Sequence, residues 1–206
     1  MKPIVLALLG TVALAAADAP RIFYSKSFPG SKPEYLEIRL DRTGRAEYRE
    51  APDEEDPLVF QLQEAEVNEI FALAEKLDYF RRPLEAGLKV ANMGMKTFRY
   101  EGEPKGEAKF NFSQDLDARA LQDWFEKMTE SEQHRINLEK TVRFDKLGVN
   151  RALLLLQVSW ERKRLVGVEQ YLPFLDRVMK NDSYLNMDRE RAAALAAAFR
   201  GEKKAE

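Results

Sequence analysis

Tyr35-Leu36-Glu37-Ile38-Arg39-Leu40-Asp41-Arg42-Thr43-Gly44-Arg45-Ala46-Glu47-Tyr48-Arg49-Glu50 is the stretch that decides the fold. Leu36, Ile38 and Leu40 alternate with Glu37 and Arg39, the period of two that marks a strand with one buried face. Asp41-Arg42-Thr43-Gly44 reads as a tight turn with glycine placed for a positive φ, and residues 45–50 return as the hairpin partner. An antiparallel sheet follows from this segment alone.

Outward from the hairpin, residues 21–27 predict another strand, and the acidic stretch 51–57, bounded by Pro52 and Pro57, predicts an exposed loop before Leu58, Phe60 and Leu62 alternate again. Val67, Ile70, Phe71, Ala74 and Leu77 make one apolar stripe on a helix expected over 65–79, stopped by Arg81-Arg82-Pro83. Residues 95–101 and 108–113 predict a second hairpin. Asp115 caps a second helix whose Leu121, Trp124, Phe125 and Met128 face inward.

Beyond Thr129 the strand signals cease. The polar run Thr129-Glu130-Ser131-Glu132-Gln133-His134 reads as a break, with helices expected over 132–143, 150–163, 168–181 and 186–200. Four consecutive leucines, 153–156, predict that the helix at 150 is buried on several sides, and the alanines of 192–198 offer close helix approach. The expected fold is α+β: an antiparallel sheet packed on two helices, followed by a C-terminal all-helical bundle. The expected division is 1–17 signal peptide, 18–130 sheet-and-helix domain and 131–206 helical domain. The layout of strand, Asp41–Gly44 turn, strand, helix, hairpin and helix resembles small exported bacterial domains of unknown function. That resemblance covers the first two-thirds of the mature chain, rests on layout, and implies no activity.

Lys2, the apolar stretch 4–14 and Ala15-Ala16-Ala17 before Asp18 form a complete signal-peptide pattern with cleavage expected after Ala17. The apolar run is shorter than the roughly 20 residues that a membrane-spanning helix needs. No later segment is apolar enough, so no membrane span is expected in the mature form. The chain has no Cys, which excludes thiol catalysis, disulfides and a lipoprotein's acylated anchor. Periplasmic or extracellular residence follows as the expectation. A net charge of -2 provides no broad basic field, so no nucleic-acid partner is expected.

The chemistry of the sequence is sparse. No serine stands in a Gly-x-Ser-x-Gly frame, and no Ser-x-x-Lys occurs. His134 is the sole histidine, placed by its neighbours at an exposed helix start, and serves as a base only if a nucleophile and an orienting acid converge on it. With one His and no Cys, zinc and other transition metals lack their usual ligands, and the acidic loop 53–56 lacks a calcium-loop frame. No catalytic, cofactor-binding or metal residue is assigned, and no cofactor is expected. Trp124 and Trp160 read as core residues, with an aromatic platform for sugar as the other reading. The exposed side of the hairpins around Arg39, Tyr48, Arg99 and Tyr100 is the candidate partner-binding face, because Tyr and Arg dominate hot spots; ordinary cross-strand pairing is the alternative. The functional expectation is an exported non-catalytic module that binds another envelope protein or component. The alternative is a carboxylate-dependent hydrolase acting on an envelope glycan or peptide.

Overall fold

The computed structural model describes residues 19–201; the expected signal peptide, 1–17, lies outside the described residues. Six strands form one antiparallel sheet in the order β4-β3-β2-β1-β5-β6. They are β1 Arg21–Ser27, β2 Tyr35–Asp41, β3 Arg45–Arg49, β4 Leu58–Gln61, β5 Met95–Glu101 and β6 Gly106–Phe110. β1 is central, pairing with β2 on one side and β5 on the other. Helices α1 Glu64–Lys76 and α2 Leu116–Phe144 cover one face, and α3 Val149–Glu161, α4 Leu172–Met179 and α5 Asn186–Phe199 follow in a bundle-like arrangement with α2. Among the described residues no helix is long and apolar enough to cross a membrane.

The Asp41–Gly44 turn sets the register of the whole meander. Asp41 Oδ1 accepts hydrogen bonds from the Thr43 N–H at 2.8 Å and the Thr43 hydroxyl at 2.6 Å. Gly44 sits at φ +85°, and a Cβ there would lie 2.7 Å from the Leu62 carbonyl oxygen. Only glycine fits that conformation and that approach.

Alternation then divides the sheet. Ile22, Tyr24, Ile38, Leu40, Phe98 and Phe110 face the helices and join Phe71, Leu121 and Phe125 in a first core. Phe98 is its hub, with its ring centroid 5.2 Å from Phe80, 5.3 Å from Tyr24 and 5.7 Å from Phe125. Aromatic pairs of this kind each add about 0.5–1.5 kcal/mol beyond the area they bury.

The helix expected over 65–79 ends at Lys76. Asp78, Tyr79 and Phe80 take positive φ values of 54°, 52° and 67°, a left-handed turn that L-residues adopt at a cost of about 1–2 kcal/mol each. The turn carries Phe80 back under the sheet onto Phe98, and that burial offsets the cost. Gly106 accommodates it from the other side, since a Cβ at that position would lie 2.1 Å from the Tyr79 carbonyl oxygen.

The second core joins Leu138 and Val142 of α2 with Leu153 and Leu156 of α3, Leu175 of α4, and Ala192 and Ala196 of α5. The small residues of α5 allow the close approach expected of them. Two helical expectations are corrected. Leu154 and Leu155 are 44 % and 43 % exposed, so α3 buries one face only. The break at 129–134 is absent: α2 runs unbroken through 29 residues and belongs to both cores.

Candidate functional site

The four residues expected on one binding face stand on two. The register places Phe23 of β1 between Arg39 of β2 and Arg99 of β5, and both guanidinium groups lie over its ring, at 5.5 Å and 4.0 Å from the centroid. Phe23 is left only 5 % exposed. Tyr48 pairs with Ile38 and Tyr100 with Ile22, on the opposite, helix-covered face, and they are 1 % and 4 % exposed. Neither tyrosine is available to a partner. Burial raises the Tyr48 hydroxyl above its ordinary pKa. On the open face the charges are already matched: Arg99 donates to Glu101 at 2.7 Å, and Arg39 and Arg49 lie 3.4 Å and 3.5 Å from the buried Glu37. The open face is therefore a lattice of paired side chains, with Arg99–Glu101 and Arg39–Glu37 along a strand and Arg49–Glu37 and the two arginines over Phe23 across strands.

The centre of α2 carries the densest polar chemistry, in the segment the sequence offers as a break. Ser131 accepts the Val166 N–H on its hydroxyl at 3.0 Å, and its carbonyl accepts the Tyr171 hydroxyl at 2.8 Å. Gln133 donates to the Tyr48 hydroxyl at 2.8 Å, and Arg135 to the Val59 carbonyl oxygen at 3.0 Å, covering the outer edge of β4. Glu132 is fully buried with Arg135 3.5 Å away. Burial pushes its carboxyl up to about 7, against the opposing pull of Gln170 and Arg135.

His134 sits within this seam rather than at an exposed helix start. Its Nε2 lies 2.9 Å from Ser159 Oγ, which donates to Glu130 Oε1 at 2.7 Å, while Arg164 Nε holds Glu130 Oε2 at 3.0 Å. A nucleophile and an acid do converge on the histidine, but in the wrong order for catalysis. A triad needs an unprotonated imidazole nitrogen at the serine, with the carboxylate on the other nitrogen. Here the serine proton already points at Glu130, so the imidazole donates to Ser159. Burial also holds His134 below its ordinary pKa, which leaves it neutral. The cluster ties α2 to α3 and the loop after it.

The two tryptophans of the chain meet beside this seam. Trp124 of α2 and Trp160 of α3 line one groove of about 640 Å³ with Glu66 of α1, Lys127, Glu161 and Lys163, over a floor of Leu165 and Val166. Both indoles are half-buried: Trp124 packs against the first core and Trp160 against the second, as read from the sequence, and each also presents part of its surface to the groove. Lys127 Nζ lies 4.7 Å above the Trp124 ring and 2.9 Å from Asp123. Trp160 packs edge-on against Phe199 at 5.1 Å. Burial raises the Glu66 carboxyl, whose Oε2 accepts the Gln63 N–H at 2.9 Å.

Lys163 enters the groove from an unusual backbone position. After α3 its N–H donates to the Trp160 carbonyl and the Arg164 N–H to the Ser159 carbonyl, both at 2.9 Å, the paired bonds of a Schellman cap. The left-handed residue of that cap is usually glycine, yet Lys163 holds it at φ 56°. An L-residue there costs about 1–2 kcal/mol.

Residue type was the only signal of this site in the sequence, since Glu66, Trp124 and Trp160 come from three helices that only the fold brings together. Among the described residues no group of three or more His, Asp or Glu side chains is placed to hold a metal ion. Compared with known protein families, with curated proteins and with solved structures, the chain matches none.

Proposed function

We propose that the chain acts after export as a non-catalytic binding module of the bacterial envelope, with the tryptophan groove as its ligand site. One observation carries the reading: both indoles of a chain that has only two stand partly exposed in a single groove. Tryptophan offers a large flat apolar surface with one polar edge, so a pair left partly open to solvent in one groove supports a recognition surface. The adjoining serine and histidine are hydrogen-bonded in an order that yields no activated nucleophile. Export rests on the pattern of residues 1–17.

Hydrolysis is the second reading, favoured by the presence of Glu66 and Glu161 in the same groove and by the raised Glu66 carboxyl. Binding is preferred because one Glu66 oxygen is committed to the start of α1. The test is retention of envelope components on immobilised 18–206, compared with Trp160→Ala and Glu66→Gln. Groove-dependent retention without turnover is the expected result. Equal retention by the tryptophan variant would sink the groove as the site, and turnover lost in Glu66→Gln would establish the hydrolase.

A further inference from the structure

We infer that the groove takes a neutral saccharide, a proposal that rests on the binding reading above. Its lining carries two ammonium groups, Lys127 and Lys163, and two carboxylates, Glu66 and Glu161, so the formal charges cancel. An anionic ligand meets the carboxylates and a cationic one meets the ammonium groups. Hydroxyls both donate and accept, and suit a rim that offers both kinds of partner.

The apolar part of the lining points the same way. Leu165 and Val166 are buried, so the groove presents partly exposed indoles beside the exposed Glu161 and Lys163 and no open aliphatic side chain for an acyl chain. A pyranose ring, by contrast, presents a flat face of C–H bonds to an indole while its hydroxyls project outward at the rim. An extended peptide is recognised largely by strand pairing at a sheet edge. This groove is built from α1, α2, the end of α3 and the loop after it, with no strand among them. Its volume suits a bound ring system, within the roughly 300–1,000 Å³ of small-ligand sites.

Lys163 supplies an independent sign of selection for binding. The cap it occupies is better served by glycine, and its ammonium group makes no hydrogen bond or ion pair among the described residues. A strained residue with an idle donor in the groove fits a ligand contact.

Because both tryptophans line the groove, the intrinsic emission of 18–206 reports its occupancy. The experiment titrates chitotriose and cellotriose as neutral probes, with trigalacturonate and trialanine for comparison. The expected result is a saturable emission change with at least one neutral trisaccharide, and none with trialanine. Affinity should fall by about tenfold or more in Trp160→Ala. Lys163→Gly should bind less tightly while melting at a higher temperature than the parent. Trp160→Phe, which keeps the packing on Phe199, should bind with intermediate affinity and guards against a folding artefact. No saturable response to either neutral sugar up to about 10 mM, a ceiling corresponding to very weak affinity, overturns the saccharide assignment. Groove-dependent retention of an envelope protein alongside that silence overturns the sugar alone. Retention unaffected by Trp160→Ala overturns the binding site itself.

Discussion

The two cores of this protein are built differently. The sheet-side core is aromatic, with Tyr24, Phe80, Phe110 and Phe125 packed around Phe98 and Phe71 set edge-on to Tyr100. The helical core is chiefly aliphatic and small, with Leu138, Leu153, Leu156, Leu175, Ala192 and Ala196. Flat rings fill the broad space between a sheet and two helices, whereas alanine and leucine let neighbouring helices approach closely. The difference teaches that neither core ends where its apolar residues end. Both are fastened to the polar middle of α2, where Ser131, Gln133 and Arg135 reach the sheet, the loop at Val166 and the turn at Tyr171.

The largest expected effect comes from the hub of the first core. Phe98→Ala should destabilise by about 3–5 kcal/mol, and Leu156→Ala in the second by about 2–5 kcal/mol. In denaturant, each variant should shift one shared transition measured by circular dichroism. Two separate transitions would break the comparison into independent domains.

A proline probes the seam itself. Gln133→Pro should cost about 3 kcal/mol or more if the residue lies inside a helix, compared with roughly 1 kcal/mol for Gln133→Ala, which removes only the side-chain bonds to Tyr48 and Glu50. Urea denaturation of the two variants makes the comparison, and equal costs would restore the break.

Glu132 gives the seam a pH signature. Because burial raises its carboxyl to about 7, the folded chain binds that proton more tightly than the unfolded chain does. Its contribution to stability is therefore most favourable below the ordinary carboxylate range and declines as pH climbs toward 7. Glu132→Gln should stabilise by about 3 kcal/mol at pH 8 and by almost nothing at pH 4.5, read from thermal melts at both values. Arg135 keeps its bonds to Val59 and Gln170 in that variant. A gain that does not depend on pH would remove the carboxylate from the explanation.

The smallest effect belongs to the end of α3. Lys163→Gly should stabilise by about 0.5–1 kcal/mol, the relief of a left-handed side chain less the entropy that glycine adds to the unfolded chain. A loss of stability in a thermal melt would mean that Lys163 contributes packing in addition to lining the groove.

How much was legible in the sequence follows the same division. The alternation of 35–50 and the Asp41–Gly44 turn specify β2, β3 and their register, because period and turn chemistry are both local. The same register, followed from Leu40 opposite Ala46, sets Tyr48 opposite Ile38 and so on the core face. Residue type alone puts Tyr48 and Tyr100 on the open face, whereas the register puts both on the core face. The continuity of α2 was hidden for another reason. Its buried face proceeds through Leu121, Phe125, Met128, Ser131, Glu132 and Leu138, so the helical spacing persists while the residues at the seam turn polar. Hydropathy reports apolar burial, and here the burial is satisfied by hydrogen bonds that arrive from residues far along the chain. The groove was hidden because its members share no local pattern.

Amide hydrogen exchange of residues 129–135 tests the continuous seam most directly. If α2 is one helix fastened to both cores, these amides exchange as slowly as those of 121–128 and 138–142, and all are released together by global unfolding. Exchange of 129–135 at loop rates, between two protected flanks, would contradict the account and restore two separate domains joined by a linker.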